Sequence, residues 1–255
     1  MKIRYKQFVL VTSSLCMALF LGAGCQSSSE PHASLAQNAT PEEPAMYPPA
    51  RTPERQAMIS PQEALDKLRA GNARFVAGQS QVRNLPAKVR ATAASQYPFA
   101  VIISCLDSRQ PIELIFDQGI GDVFNARIAG NVLNDDILGS LEFACKVSGA
   151  KLILVLGHSN CGAVKGAVDG VELGKLTGLL ARIKPAIEQV PADVQPRTSK
   201  NSDFVEKVAE ANVRLVKRQI REQSPLLRKM LDDGKIGLAG GIYELSTGEV
   251  HIFPN

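Results

Sequence analysis

Three short apolar runs stand out along the middle of the chain: Phe99 to Ile103, Val123-Phe124, and Leu152 to Leu156. They have the look of parallel strands buried on both faces. Between and after them, Ile137 to Val147, Val205 to Ile220 and Pro225 to Leu231 carry apolar residues at helical spacing. Upstream, Ser60-Pro61-Gln62-Glu63 has the chemistry of a helix start: a hydroxyl cap, proline at the first position and glutamate at the third. Ala64, Leu65, Leu68, Phe75 and Val76 then continue at near-helical spacing. Strands alternating with helices predict an α/β fold, a mostly parallel central sheet with helices on both faces and an N-terminal helical arm. Near the end, Ile236 to Tyr243 and Val250 to Phe253 flank Ser246-Thr247-Gly248, which predicts an antiparallel edge strand closed by a hairpin. No repeat and no second core interrupts this pattern, so residues 60–255 are expected to form one domain.

The first sixty residues follow another logic. Lys2, Arg4 and Lys6 precede an uncharged run from Phe8 to Gly24, and small residues stand just before Cys25. This predicts an export signal over residues 1–24. Leu21-Gly-Ala-Gly-Cys25 resembles a lipobox, in which Cys25 is lipidated and becomes the mature N-terminus. Plain secretion and a membrane-spanning anchor are the alternatives; Gly22 stands where a lipobox usually has a large aliphatic residue. Lipidation would tether the chain to a membrane in the periplasm or cell envelope, and Gln26 after the cysteine points weakly to the outer membrane. Residues 25–59 then read as the lipidated cysteine and a Pro/Ser-rich linker, which as a flexible coil spans roughly 30 Å.

Composition adds little beyond this. A hydrophobic fraction of 45% with 21% charged residues is ordinary for a globular protein. The formal charge of +4 includes Lys2, Arg4 and Lys6, so losing those three leaves about +1. No basic stripe interleaved with aromatics is present, which argues against nucleic acid as a partner.

The candidate chemistry sits directly after the two most apolar runs. Cys105-Leu-Asp107-Ser-Arg109 follows the first, and Gly157-His158-Ser-Asn-Cys161-Gly162 follows the last. Ligands of open α/β sheets bind beyond the carboxyl ends of the strands, so neighbouring strands would bring Cys105, His158 and Cys161 together. Two thiolates and an imidazole suit Zn²⁺, one ion per chain, with the fourth position left open as in catalytic sites. A Cys105–Cys161 disulfide is the competing reading for an exported chain. Once Cys16 leaves and Cys25 is lipidated, however, an odd set with Cys145 remains. Cys145 lies on an apolar helix and reads as a packing residue. Asp107 can orient a zinc-bound water or take the fourth position itself, and Arg109 would keep it ionised.

Cys-x-Asp-Ser-Arg followed about fifty residues later by Gly-His-x-x-Cys-Gly resembles the signature of the beta-class carbonic anhydrases. The likeness extends through Ala70-Gly-Asn72, Arg127 to Asn131, Glu142 to Ala144, Gly240 to Tyr243 and Thr247-Gly248, covering roughly residues 60–253. It implies zinc-dependent hydration of carbon dioxide to bicarbonate, with Cys105, His158 and Cys161 as metal ligands and Asp107 with Arg109 as the catalytic pair. In the plant-like members, the positions of Gln96, Phe124 and Phe143 bind bicarbonate and line the apolar carbon dioxide pocket. Phe143 stands where tyrosine is more usual, and Ile128 where asparagine is common. Another subgroup carries a tryptophan near the first cysteine that supports a closed, bicarbonate-regulated site. This chain has no tryptophan, and Ile102 holds that place, which implies the open-site subgroup. The resemblance also implies a homodimer or a higher even oligomer. Hydrolysis of carbonyl sulfide or carbon disulfide on the same scaffold, or zinc binding without turnover, are the alternatives.

Overall fold

The computed structural model describes residues 51–254. The segment expected to be an export signal, Cys25 and most of the expected linker lie outside the described residues. The helices are α1 (Pro53–Ala57), α2 (Pro61–Val76), α3 (Leu85–Thr92), α4 (Ile112–Ile115), α5 (Asp135–Glu142), α6 (Gly162–Val168), α7 (Gly174–Ala181), α8 (Lys184–Gln189), α9 (Ser202–Gln223) and α10 (Pro225–Asp232). The strands are β1 (Ala100–Ser104), β2 (Val123–Arg127), β3 (Leu152–His158), β4 (Gly237–Tyr243) and β5 (Val250–Ile252).

They form one five-stranded sheet in the order β2-β1-β3-β4-β5. The first four strands are parallel and β5 runs antiparallel to β4, as the sequence pattern predicts. Alternate residues of β1 and β3 face opposite sides. Ala100, Ile102, Leu152 and Leu154 pack with Leu65 and Leu68 of α2 and Ile112 and Ile115 of α4. Val101, Ile103, Ile153 and Val155 pack with Leu138 and Leu141 of α5, Val213 and Val216 of α9, and Leu227 of α10. Both central strands are buried along their whole length, which explains their unbroken apolar sequence.

Helix α2 starts as its sequence foretells. The Ser60 hydroxyl accepts from Glu63 N at 3.2 Å, and Ser60 N donates to Glu63 Oε2 at 2.7 Å. The helix expected over Ile137 to Val147 is present, but its second half, Phe143–Val147, winds as a wider π turn closed by Ser148 N donating to Phe143 O. Helices α3, α6, α7 and α8 were not evident in the apolar pattern, because each is short and buries only one or two side chains.

One boundary needs correction. The linker read through residue 59 ends earlier, since α1 and Ile59 belong to the folded body. Buried Gln56 donates through Nε2 to Pro98 O and to Ser148 O, both at 2.7 Å, and the Arg51 guanidinium stacks 4.7 Å over the Phe99 ring. Proline-rich composition hid this helix, although Pro53 occupies the first turn, where a missing N–H costs nothing.

Candidate metal centre

Pairing of β1 with β3 places Ser104 opposite Leu156, so Cys105 and His158 emerge side by side at the carboxyl end of the sheet. Cys161 follows in the same loop as the residue capping α6. All three are buried, and their ligand atoms lie within 4.8 Å of one another. A tetrahedral zinc with Zn–S of about 2.3 Å and Zn–N of about 2.0 Å spaces its ligands roughly 3.3 to 3.8 Å apart, so the three donors need only a small inward adjustment. Cys105 and Cys161 are both free thiols, which excludes the disulfide alternative in this structure.

The imidazole is poised for a metal. His158 Nδ1 lies 2.9 Å from Ser159 O, and a carbonyl can only accept, so Nδ1 carries the proton and Nε2 presents its lone pair. That Nε2 is buried and has no hydrogen-bond partner. An unpaired buried acceptor facing two thiols fits a cation, and the donor set fits zinc. Ser159 is itself anchored: its hydroxyl donates to Glu244 Oε1 and accepts from Leu245 N, both at 3.0 Å, which ties the histidine loop to the end of β4.

The local field favours a thiolate at Cys105. Its pKa falls to about 4, chiefly because the Cys161 thiol donates to it, with help from Gly130 N, 3.3 Å from Sγ. Cys161 is pushed up in turn, since it keeps the proton facing the Cys105 thiolate and is buried; the N–H groups of Val164 and Ala163 at the start of α6 oppose this. Gly130 donates from a tight turn at Ala129–Asn131, where its φ of 64° suits glycine better than an L side chain. Asn212 on α9 secures the turn by donating to Gly130 O at 2.8 Å.

Asp107 and Arg109 lie at the rim. Arg109 Nε donates to Asp107 Oδ1 at 2.9 Å and Nη2 to Oδ2 at 2.8 Å, while Arg109 N also donates to Oδ1 at 3.0 Å. This bidentate pair holds the Asp107 carboxyl below the ordinary carboxylate range. Asp107 Oδ2 stands 3.9 Å from His158 Nε2. Arg127, at the end of β2, donates to Cys105 O at 3.1 Å and to Asp107 O, fixing the loop that carries both residues.

Two supporting residues escaped the sequence reading. Gln110 is fully buried; its Oε1 accepts from Cys105 N at 3.2 Å and its Nε2 donates to Gly157 O at 3.4 Å. It thereby bridges the two loops that carry the metal ligands. Asn212 is the other, and nothing in its spacing sets it apart from its neighbours on α9. A glutamine beginning an apolar stretch, Gln110-Pro-Ile-Glu-Leu-Ile, was the one available hint of the first.

The remaining candidates stand apart from the cluster within one chain. Phe124 is opposite Val101 near the start of β2, four residues before the level of Cys105. Its ring meets that of Phe143 edge-to-face at 6.4 Å, and Phe143 is 51% exposed. Gln96 is exposed and precedes β1, at the amino end of the sheet.

A family model described as carbonic anhydrase matches residues 100–250. Carbonic anhydrase 2 of Mycobacterium tuberculosis is 36% identical over 190 residues, covering 74% of this chain and 91% of the relative. A carbonic anhydrase of Mycolicibacterium smegmatis is 34% identical over 194 residues, covering 76% and 93%. Among solved structures, the beta-carbonic anhydrase CafA of Aspergillus fumigatus superposes with a TM-score of 0.61 at 28% identity, covering 72% of this chain and 88% of that one. With the cysteine–histidine–cysteine cluster built on the matched strands, the chain belongs to the carbonic anhydrase family, in its beta class.

Proposed function

We propose that this chain catalyses the reversible hydration of carbon dioxide to bicarbonate and a proton, with Cys105, His158 and Cys161 holding zinc and Asp107 orienting the attacking water. The observation that carries this is the unpaired, buried His158 Nε2 between two thiols, with an arginine-clamped carboxylate 3.9 Å away. Bound there, zinc supplies the Lewis acidity that makes water a nucleophile near neutral pH. The protein's part is positional. Ionised Asp107 accepts a hydrogen bond from the attacking water and turns its lone pair toward the carbon. Arg109 holds the carboxylate with both oxygens engaged, which favours an open site over one closed by Asp107. Because the Asp107 pKa is depressed, its ion pair is fully formed above the free carboxyl value near 4 and is lost only as pH falls through the depressed value. Carboxylate protonation at Asp107 therefore does not limit activity between pH 5 and 8.

Phe124 and Phe143 offer an apolar surface suited to carbon dioxide, and Gln96 an amide suited to bicarbonate oxygens. Their distance from the Cys105 end of the sheet, with Phe143 half exposed, supports a homodimer or larger even assembly in which they line the pocket of a second copy. The absence of tryptophan and the made Asp107–Arg109 pair support the open-site, plant-like subgroup. The basic start, the uncharged run and Cys25 support export and lipid anchoring in the cell envelope, which mass spectrometry of the mature N-terminus tests. A diacylglyceryl-modified Cys25 is expected; an unmodified or uncleaved terminus refutes the anchoring.

Stopped-flow carbon dioxide hydration on the purified chain, with zinc measured on the same sample, tests the catalytic reading. Near one zinc per chain and a rate reduced at least a hundredfold in Asp107→Asn, with zinc retained, are expected. Full zinc without hydration at alkaline pH overturns the reading and directs the assay to carbonyl sulfide and carbon disulfide.

A further inference from the structure

A second charged feature lies at the other end of the sheet. A cleft of about 630 Å³ opens between α1, α2 and the segments before α3 and after α4. Six cations line it, Arg51, Arg55, Lys67, Arg74, Arg83 and Lys88, against the two carboxylates of Asp117 and Asp122. Both carboxylates are already engaged. Buried Asp117 accepts from Arg74 Nε at 2.5 Å, from Arg83 Nη1, and from Gln81 N at 3.2 Å. Asp122 pairs with Arg51 at 3.6 Å and Lys88 at 3.5 Å, and accepts from Gly119 N at 2.8 Å.

Among the described residues of the lining, a formal excess of four positive charges remains. Among the described residues, no carboxylate lies within ion-pair distance of Arg55 or Lys67. Arg51 Nε is buried and has no hydrogen-bond partner, although its guanidinium is held in place over Phe99. A concave wall of net positive charge concentrates anions, and guanidinium forks match the paired oxygens of a tetrahedral oxyanion. We propose that this cleft binds a phosphate group, carried either by free phosphate and its monoesters or by a phospholipid headgroup. Arg55, Lys67 and Arg51 Nε supply the uncommitted donors, and Arg74 and Arg83 complete the field. The site is separate from the metal centre: Asp122 directly precedes β2 and Phe99 precedes β1, whereas Cys105 follows β1, about 20 Å along the strand.

The test titrates the zinc-loaded full chain with inorganic phosphate and, separately, with glycerophosphoglycerol, a soluble diester headgroup, followed by calorimetry at low ionic strength. The wild type is compared with Arg55→Gln/Lys67→Gln. Both replaced side chains are exposed and remote from the catalytic residues, so unchanged carbon dioxide hydration reports an intact fold. Saturable binding that weakens about tenfold in the double variant is expected. Phosphate bound more tightly than the diester identifies the free-phosphate source, and a diester bound as tightly or more tightly identifies a headgroup. No saturable binding of either probe to the wild type overturns the proposal. Equal binding by both proteins also overturns it, because the anion then sits elsewhere, the metal centre included.

Discussion

Replacing Gln110 by methionine keeps the volume of a fully buried side chain and removes its two polar ends. The Cys105 N–H loses its acceptor at 3.2 Å, and an unsatisfied buried amide costs about 1–3 kcal/mol. The longer bond to Gly157 O, at 3.4 Å, adds about 0.5 kcal/mol. Apolar burial of the methionine tip returns up to about 1 kcal/mol, leaving a net cost near 2 kcal/mol. For a domain of this size that lowers Tm by about 4–8 °C. The same substitution unties the Cys105 loop from the His158 strand, so zinc transfer to a chelator should speed up at least tenfold, as for other groups that orient metal ligands. Thermal unfolding by circular dichroism and chelator-monitored zinc release read the two effects, with exposed Gln79→Met as the control. A Tm within 1 °C of wild type together with unchanged zinc release would refute the bridging role.

Two further outcomes follow from buried chemistry elsewhere. A Cβ at Gly71 would lie 1.8 Å from Phe116 O, so Gly71→Ala must move α2 off α4; a loss of at least about 3 kcal/mol in urea unfolding is expected, and a loss under 1 kcal/mol contradicts the packing. Burial pushes the Cys145 thiol up to about 12, so iodoacetamide at pH 8 should leave it unmodified in the native chain while Cys105, toward about 4, is alkylated once zinc is chelated; peptide mass mapping reads both, and early labelling of Cys145 rejects its packing role.

Much of the architecture is legible without coordinates. Phe99 to Ile103 and Leu152 to Leu156 can only be satisfied on both faces, so they call for a covered parallel sheet, and they lie at its centre as β1 and β3. Ser60 and Glu63 announce α2 because capping is local chemistry, settled within four residues. The metal set was readable for a similar reason: each ligand ends or follows an apolar strand, and strand ends in such sheets converge. Helix α1 was not readable, because its stability comes from Gln56 reaching Pro98 O and Ser148 O, partners 42 and 92 residues away.

What the chain's order of residues determined by itself is therefore the alternation of elements, the donor types and their place beyond the strands. Tertiary structure alone decided that β1 and β3 are neighbours, that Nε2 of His158 is the bare nitrogen, and that Gln110, Arg127 and Asn212 brace the ligand loops. Periodicity reports which side of an element is apolar. Single hydrogen bonds across twenty to eighty residues leave no periodic trace, because they depend on where the packed elements bring two polar atoms together.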